Sequence, residues 1–134
     1  MSNRTTQNGN DPLNDEWQRD LGVAYGKAAK ILSAQQSSEA ALRLAGEGST
    51  ILEKLLSKDQ SSPRKLSDVA VAHGLKGDIY LASARVKEAL NSYRQELTLT
   101  EALMRLDPSS SEWRSALDLT QQKIGSEPFR LSAP

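Results

Sequence analysis

A period of 48 residues constrains this chain more than any single motif in it. Trp17 opens the segment Trp17-Gln18-Arg19-Asp20-Leu21, and Trp113, at twice that distance along the chain, opens Trp113-Arg114-Ser115-Ala116-Leu117. Lys65 lies midway. A shift by one period pairs Asp20 with Asp68, Val23 with Val71, Ala24 with Ala72, Gly26 with Gly74 and Ile31 with Ile79. Without a gap it goes on to pair Ala41 with Ala89, Leu42 with Leu90, Glu53 with Glu101, Leu55 with Leu103 and Asp59 with Asp107. In all, 14 of the 48 aligned positions are identical. Self-similarity at such a period marks supersecondary units that bury their apolar faces by stacking on one another. The phase also extends backwards, because Asp11-Pro12-Leu13-Asn14-Asp15-Glu16-Trp17 resembles Asp107-Pro108-Ser109-Ser110-Ser111-Glu112-Trp113. The chain is therefore expected to begin on the tail of a repeat, as a piece of a longer array does.

Each unit reads as a pair of helices. Trp17, Leu21, Ala24, Ala28 and Ile31 recur at helical spacing, which predicts a first helix with these residues on its inner face and Asn14 as its cap. Val69, Ala72 and Ile79 repeat the pattern, and Ser62-Pro63 marks the second start as a cap residue followed by proline at the first helical position. After linkers around Ser33 to Ser38 and Ala82 to Arg85, second helices are expected from about Glu39 to Ser57 and from about Val86 to Leu106. Asp107-Pro108 ends the latter. A last helix, about Ser111 to Ile124, sets Trp113, Leu117, Thr120 and Ile124 against Arg114, Asp118, Gln122 and Lys123, as a terminal cap with a polar outer face does. Alanine, leucine, glutamate and lysine dominate and no period-two cluster of β-branched residues occurs, so the class is all-α. The expected organisation is a polar tail over residues 1–13, a helical domain over 14–125 and a loosely held tail over 126–134. Within the domain the units fall at about 14–62, 63–110 and 111–125.

A chain of 134 residues holds one compact core. Its 17 Lys and Arg balance 17 Asp and Glu, so no net field draws it to nucleic acid or an anionic membrane. No segment approaches the roughly 20 apolar residues needed to span a bilayer, and Met1 to Pro12 lacks the apolar core of a signal peptide. With no cysteine, disulfides and thiolate metal sites are excluded. A cytoplasmic protein without a membrane or nucleic-acid partner is expected.

At Gly77, Tyr80, Ala89 and Tyr93 the second unit resembles the tetratricopeptide repeat, with His73 and Lys76 standing where that family prefers Trp and Leu. Ala29, Leu32, Ala41 and Ala45 hold the matching places in a degenerate first unit. Small residues at such positions let helices approach, and aromatic ones fill the space beside them. The long unit, with Trp-Gln-Arg-Asp-Leu at its start and Leu-x-x-Asp-Pro near its end, is similar to extended repeats of bacterial signalling proteins, where arrays follow kinase-like, caspase-like or other effector domains. The resemblance implies two antiparallel helical hairpins plus a C-terminal capping helix, stacked as a short right-handed solenoid. It implies a protein-binding scaffold, whose partner is another protein or peptide. Trp17, Leu21, Tyr25, Ala41, Gly77, Tyr80, Ala89, Tyr93 and Trp113 become packing positions of the repeat. Val23, Lys30, Ser33, Val71, Asp78, Leu81, Leu119 and Gln122 become the concave binding face. Gly26 and Gly74 stand where chaperone-tail-binding members carry Lys or Arg, which together with Asp78 argues against a two-carboxylate clamp.

Catalytic chemistry finds little to build on. His73 is the sole histidine, no Gly-x-Ser-x-Gly elbow accompanies it, and it is expected to pack in an aromatic slot. Gly46-Glu47-Gly48 lacks the Lys-Ser or Lys-Thr of a phosphate loop and reads as a place of close helix packing or a local kink. Arg64-Lys65 reads as a solvated face. Neither enzyme activity nor a cofactor or metal is expected. The alternative to an adaptor is a homo-oligomerisation module, a homodimer in which an unfinished repeat accepts a helix from a second copy.

Overall fold

The structure, a computed structural model, describes residues 12–126, 128 and 129. These form five α-helices: α1 (Pro12–Ala34), α2 (Ser38–Lys58), α3 (Pro63–Ala82), α4 (Val86–Leu106) and α5 (Ser111–Ile124). No strand occurs among the described residues. Each helix packs on its neighbour in sequence, and α1 also reaches α3.

The connections repeat with the period of the sequence. Ser62 Oγ accepts from the backbone N–H of Lys65 at 3.2 Å, and Ser110 Oγ from that of Trp113 at 3.1 Å, so two equivalent serines satisfy otherwise orphaned donors of α3 and α5. The carboxylates of Asp59 and Asp107 each accept from the serine two residues on, closing the same turn twice. At the other turn the backbone of Ser37 bonds Leu32 O and that of Arg85 bonds Tyr80 O, each five residues back. Each leaves one residue, Gln36 and Ala84, with φ of 64°. That is the Schellman closure of a helix, built twice without glycine.

Three apolar clusters hold the helices together. Ala29 of α1, Ala41 and Ala45 of α2 and Ile79 of α3 form one; Leu52, Leu55 and Val69 form a second between α2 and α3. The third joins Ala89 and Tyr93 of α4 to Phe129, whose ring meets Tyr93 edge-on at 5.7 Å between centroids. Close approach depends on glycine here. A Cβ on Gly77 would lie 2.5 Å from the Tyr93 ring, and one on Gly48 would lie 2.7 Å from Gly22 O, so the small residues set the α3–α4 and α1–α2 distances.

Several expectations change. Helix α1 begins at Pro12, so residues 12 and 13 belong to it and Asn14 lies inside it rather than capping it. Residues 1–11 of the expected tail are outside the described residues. The face chosen for α1 is rotated: Trp17, Ala24 and Ile31 are exposed, and Gly22 and Ala29 are the buried positions. Trp17 is 61% exposed and does not pack between units, because no described helix precedes α1 to cover it. Its counterpart Trp113 is half-buried, as are Leu21, Tyr25 and Tyr80, while Ala41, Gly77, Ala89 and Tyr93 are buried. At the other end Phe129 is buried rather than loosely held; residues 127 and 130–134 are outside the described residues. Lys123 leaves the outer face of α5, donating to Glu96 at 3.0 Å with its ammonium 4.5 Å from the Tyr93 ring centre.

Candidate functional site

Glycine and valine on α1 and α3 leave a groove between these helices of about 480 Å³. Its floor is low because Gly22, Gly26 and Gly74 carry no side chain there, and α2 contributes Ala45, Gly48 and Leu52 beneath. Val23 and Val71, one period apart, stand on its flanks, and Val71 is 66% exposed. Around them lie Lys27 and Lys30 on the α1 side and Asp78 on the α3 side.

Most of the groove's ionic groups are already engaged. Arg19 grips Asp68 through one guanidinium edge, its Nε and Nη2 donating to the two carboxylate oxygens at 2.6 and 3.1 Å, and the hydrogen bond raises the arginine pKa further above its ordinary value. At the opposite end Tyr93 donates its hydroxyl to Asp78. Burial and the anionic Asp78 push the Tyr93 pKa well up, so the phenol stays protonated. Burial also raises the Glu96 carboxyl, against the opposing pull of Lys123. A Cβ on Gly74 would lie 2.7 Å from Glu96 Oε2, so that glycine makes room for the carboxylate. Lys27 and Lys30 form no ion pair among the described residues.

The geometry brings together Val23, Lys30, Val71 and Asp78 of the residues nominated from the sequence. The other four lie elsewhere. Leu81 packs, half-buried, against the cluster of Ala89, Tyr93 and Phe129. Ser33 is half-buried and Leu119 and Gln122 are exposed, and none of the three lines the groove. Sequence reading missed Arg19, Lys27, Asp68, Glu96 and Lys123. The Asp20 and Asp68 identity was visible, but the structure pairs Asp68 with Arg19, a contact across one period plus one residue.

His73 does not line the groove; it faces α2 from α3, and no aromatic ring pairs with it among the described residues. Its Nε2 lies 2.9 Å from Glu53 Oε2, and its Nδ1 is buried with no hydrogen-bond partner among the described residues. Burial lowers its pKa, with Lys76 adding to the effect and Glu53 opposing it. No group of three or more His, Asp and Glu suited to a metal occurs among the described residues, and none of their helices is long and apolar enough to cross a membrane. Arg64, read as solvated, is exposed and pairs with Glu16 at 2.9 Å. Comparison with family models, with curated proteins and with solved structures gave no match.

Proposed function

We propose that the chain is a protein-binding adaptor that holds a segment of another protein in the groove between α1 and α3, without chemistry of its own. The exposed Val71 beside a glycine floor carries this reading: an apolar side chain two-thirds open to water in a concave site gains by being covered. Lys27 and Lys30 on one wall favour a ligand with an acidic side chain next to its apolar anchor. A segment of that kind is a short amphipathic helix or extended peptide. The groups that catalysis would need, by contrast, are spent on one another in the Arg19–Asp68 and Glu96–Lys123 pairs. The resemblance to tetratricopeptide repeats supports the same use, with the helix pairs as hairpins of a short right-handed solenoid and α5 as its cap.

Gly26 offers a direct test, because a Cβ there meets only Leu75 Cδ2 at an ordinary 3.6 Å and a larger side chain would project into the groove. Peptides selected from a random display library on the native protein are expected to share an apolar residue within one helical turn of Asp or Glu. Their binding should fall at least about tenfold, or about 1.4 kcal/mol, on Gly26→Phe and on Lys30→Glu. Selected peptides that bind both variants as tightly as the native chain would remove the groove from consideration.

A further inference from the structure

The internal repeat says what the uncovered face of α1 is for. In α3, Ile79 is 1% exposed and is seated on Ala29, Ala41 and Ala45 of the two preceding helices. In α5, Thr120 is buried too, and Trp113 is half-buried. One or two periods earlier the same positions are Ile31, Ala24 and Trp17, and all three are exposed. The face that α3 and α5 turn towards the helices before them is thus present on α1, with Trp17 and Ile31 matching Trp113 and Ile79 and Ala24 in the place of Thr120, and no described residue covers it.

The pattern along that face is self-complementary. Trp17, Asp20, Ala24, Lys27 and Ile31 follow at alternating steps of three and four, so they share one side of the helix, and all are exposed. Trp17 and Ile31 stand seven residues either side of Ala24, with Asp20 on the one side and Lys27 on the other. Two such helices laid antiparallel about a two-fold axis at Ala24 set each tryptophan on an isoleucine and each aspartate beside a lysine, while the alanines allow close approach. That is the condition for an isologous contact, in which residue i meets j and j meets i. A head-to-tail contact has no vacant seat: Gly77, Ala89 and Tyr93 repeat the seat of Ala29, Ala41 and Ala45, and Phe129 already lies on Ala89 and Tyr93.

We propose that α1 is a homodimerisation helix, pairing with α1 of a second copy through Trp17, Ala24 and Ile31 and held in antiparallel register by Asp20 and Lys27. Val23 and Lys30 face the groove from another side of α1 and Lys27 stands on the edge between the two faces, so in the dimer each groove stays open with Lys30 as its remaining α1 cation.

Analytical ultracentrifugation of the full chain over a wide concentration range tests this. A reversible monomer–dimer equilibrium is expected. Trp17→Glu should raise its dissociation constant at least about tenfold with helical circular dichroism unchanged, since the tryptophan is exposed in the monomer. Asp20→Lys alone and Lys27→Asp alone should each weaken the dimer, and the double variant should restore most of the loss, because the swapped charges again face each other. A protein that is monomeric throughout, a dimer indifferent to Trp17→Glu, or a double variant no better than its singles would overturn the proposal. A dimer broken by Val71→Glu but not by Trp17→Glu would overturn it in favour of association through the groove.

Discussion

Glycine substitutions separate positions where a missing side chain is structural from positions where it is not. At Gly46 a Cβ meets nothing within 4 Å, so Gly46→Ala is expected to stabilise the protein by about 0.5–1 kcal/mol through helix propensity alone. At Gly48 the nearest atom is backbone, Gly22 O at 2.7 Å, and Gly48→Ala should destabilise by about 1–3 kcal/mol. Chemical denaturation of the two variants checks both signs. The sequence marked this glycine pair as a place of close helix packing, yet only the second glycine is there for that purpose; which of two neighbours faces the partner helix depends on rotation that spacing alone does not fix. His73 gives a second residue-scale outcome. Its pKa is lowered by burial from an ordinary value of about 6.5, so the unfolded chain binds the proton more readily. The stability it contributes is therefore fully present above pH about 6.5 and lost as pH falls through the lower folded value. The melting temperature should drop over that window, and the difference between native protein and His73→Phe, which removes the titrating group, isolates the effect. A native protein and variant with parallel pH profiles would contradict it.

Among the elements, the helix start at Ser62 was legible because a cap acts within one turn and needs no tertiary information. The bounds of α4 and α5 agree with those read from the sequence, though α4 starts after Arg85 without a side-chain cap. The inner face of α1 was not legible. Its apolar spacing is genuine, but the periodic stripe includes residues meant for a neighbour that no described element supplies, and periodicity cannot tell a buried face from an uncovered one. Burial of Phe129 was equally hidden, since a single aromatic in a polar tail carries no periodic signal. The positive φ at Ala84 offers an element-scale prediction. Alanine in the left-handed region is strained, and the Schellman closure there is otherwise complete, with Arg85 N bonded to Tyr80 O at 2.8 Å. Ala84→Gly is thus expected to stabilise by about 1 kcal/mol, read as a higher denaturant midpoint at unchanged slope. Ser110→Ala should cost about 1 kcal/mol by removing the bond to Trp113 N.

For the whole molecule, helical spacing and composition carried the all-helical class, and the family resemblance nominated four of the groove residues, Val23, Lys30, Val71 and Asp78. The glycine floor and the Arg19–Asp68 pair beside it were hidden, because they depend on register across space rather than along the chain. Arg19 reaches Asp68, Glu16 reaches Arg64 and Asp15 reaches Lys58, so α1 is tied to its neighbours along its N-terminal half by charge. The same helix offers two surfaces: the groove towards α3 and the uncovered face bearing Trp17 and Ile31. Binding of a foreign segment in the first is the claim on which the adaptor reading stands. It is tested most directly by nuclear magnetic resonance titration of the labelled protein with a library-selected peptide. Amide shifts are expected at Gly22, Gly26, Val71, Gly74 and Leu75, which line the groove. Shifts confined to the exposed side of α2 or α4, with these amides unmoved, would contradict it.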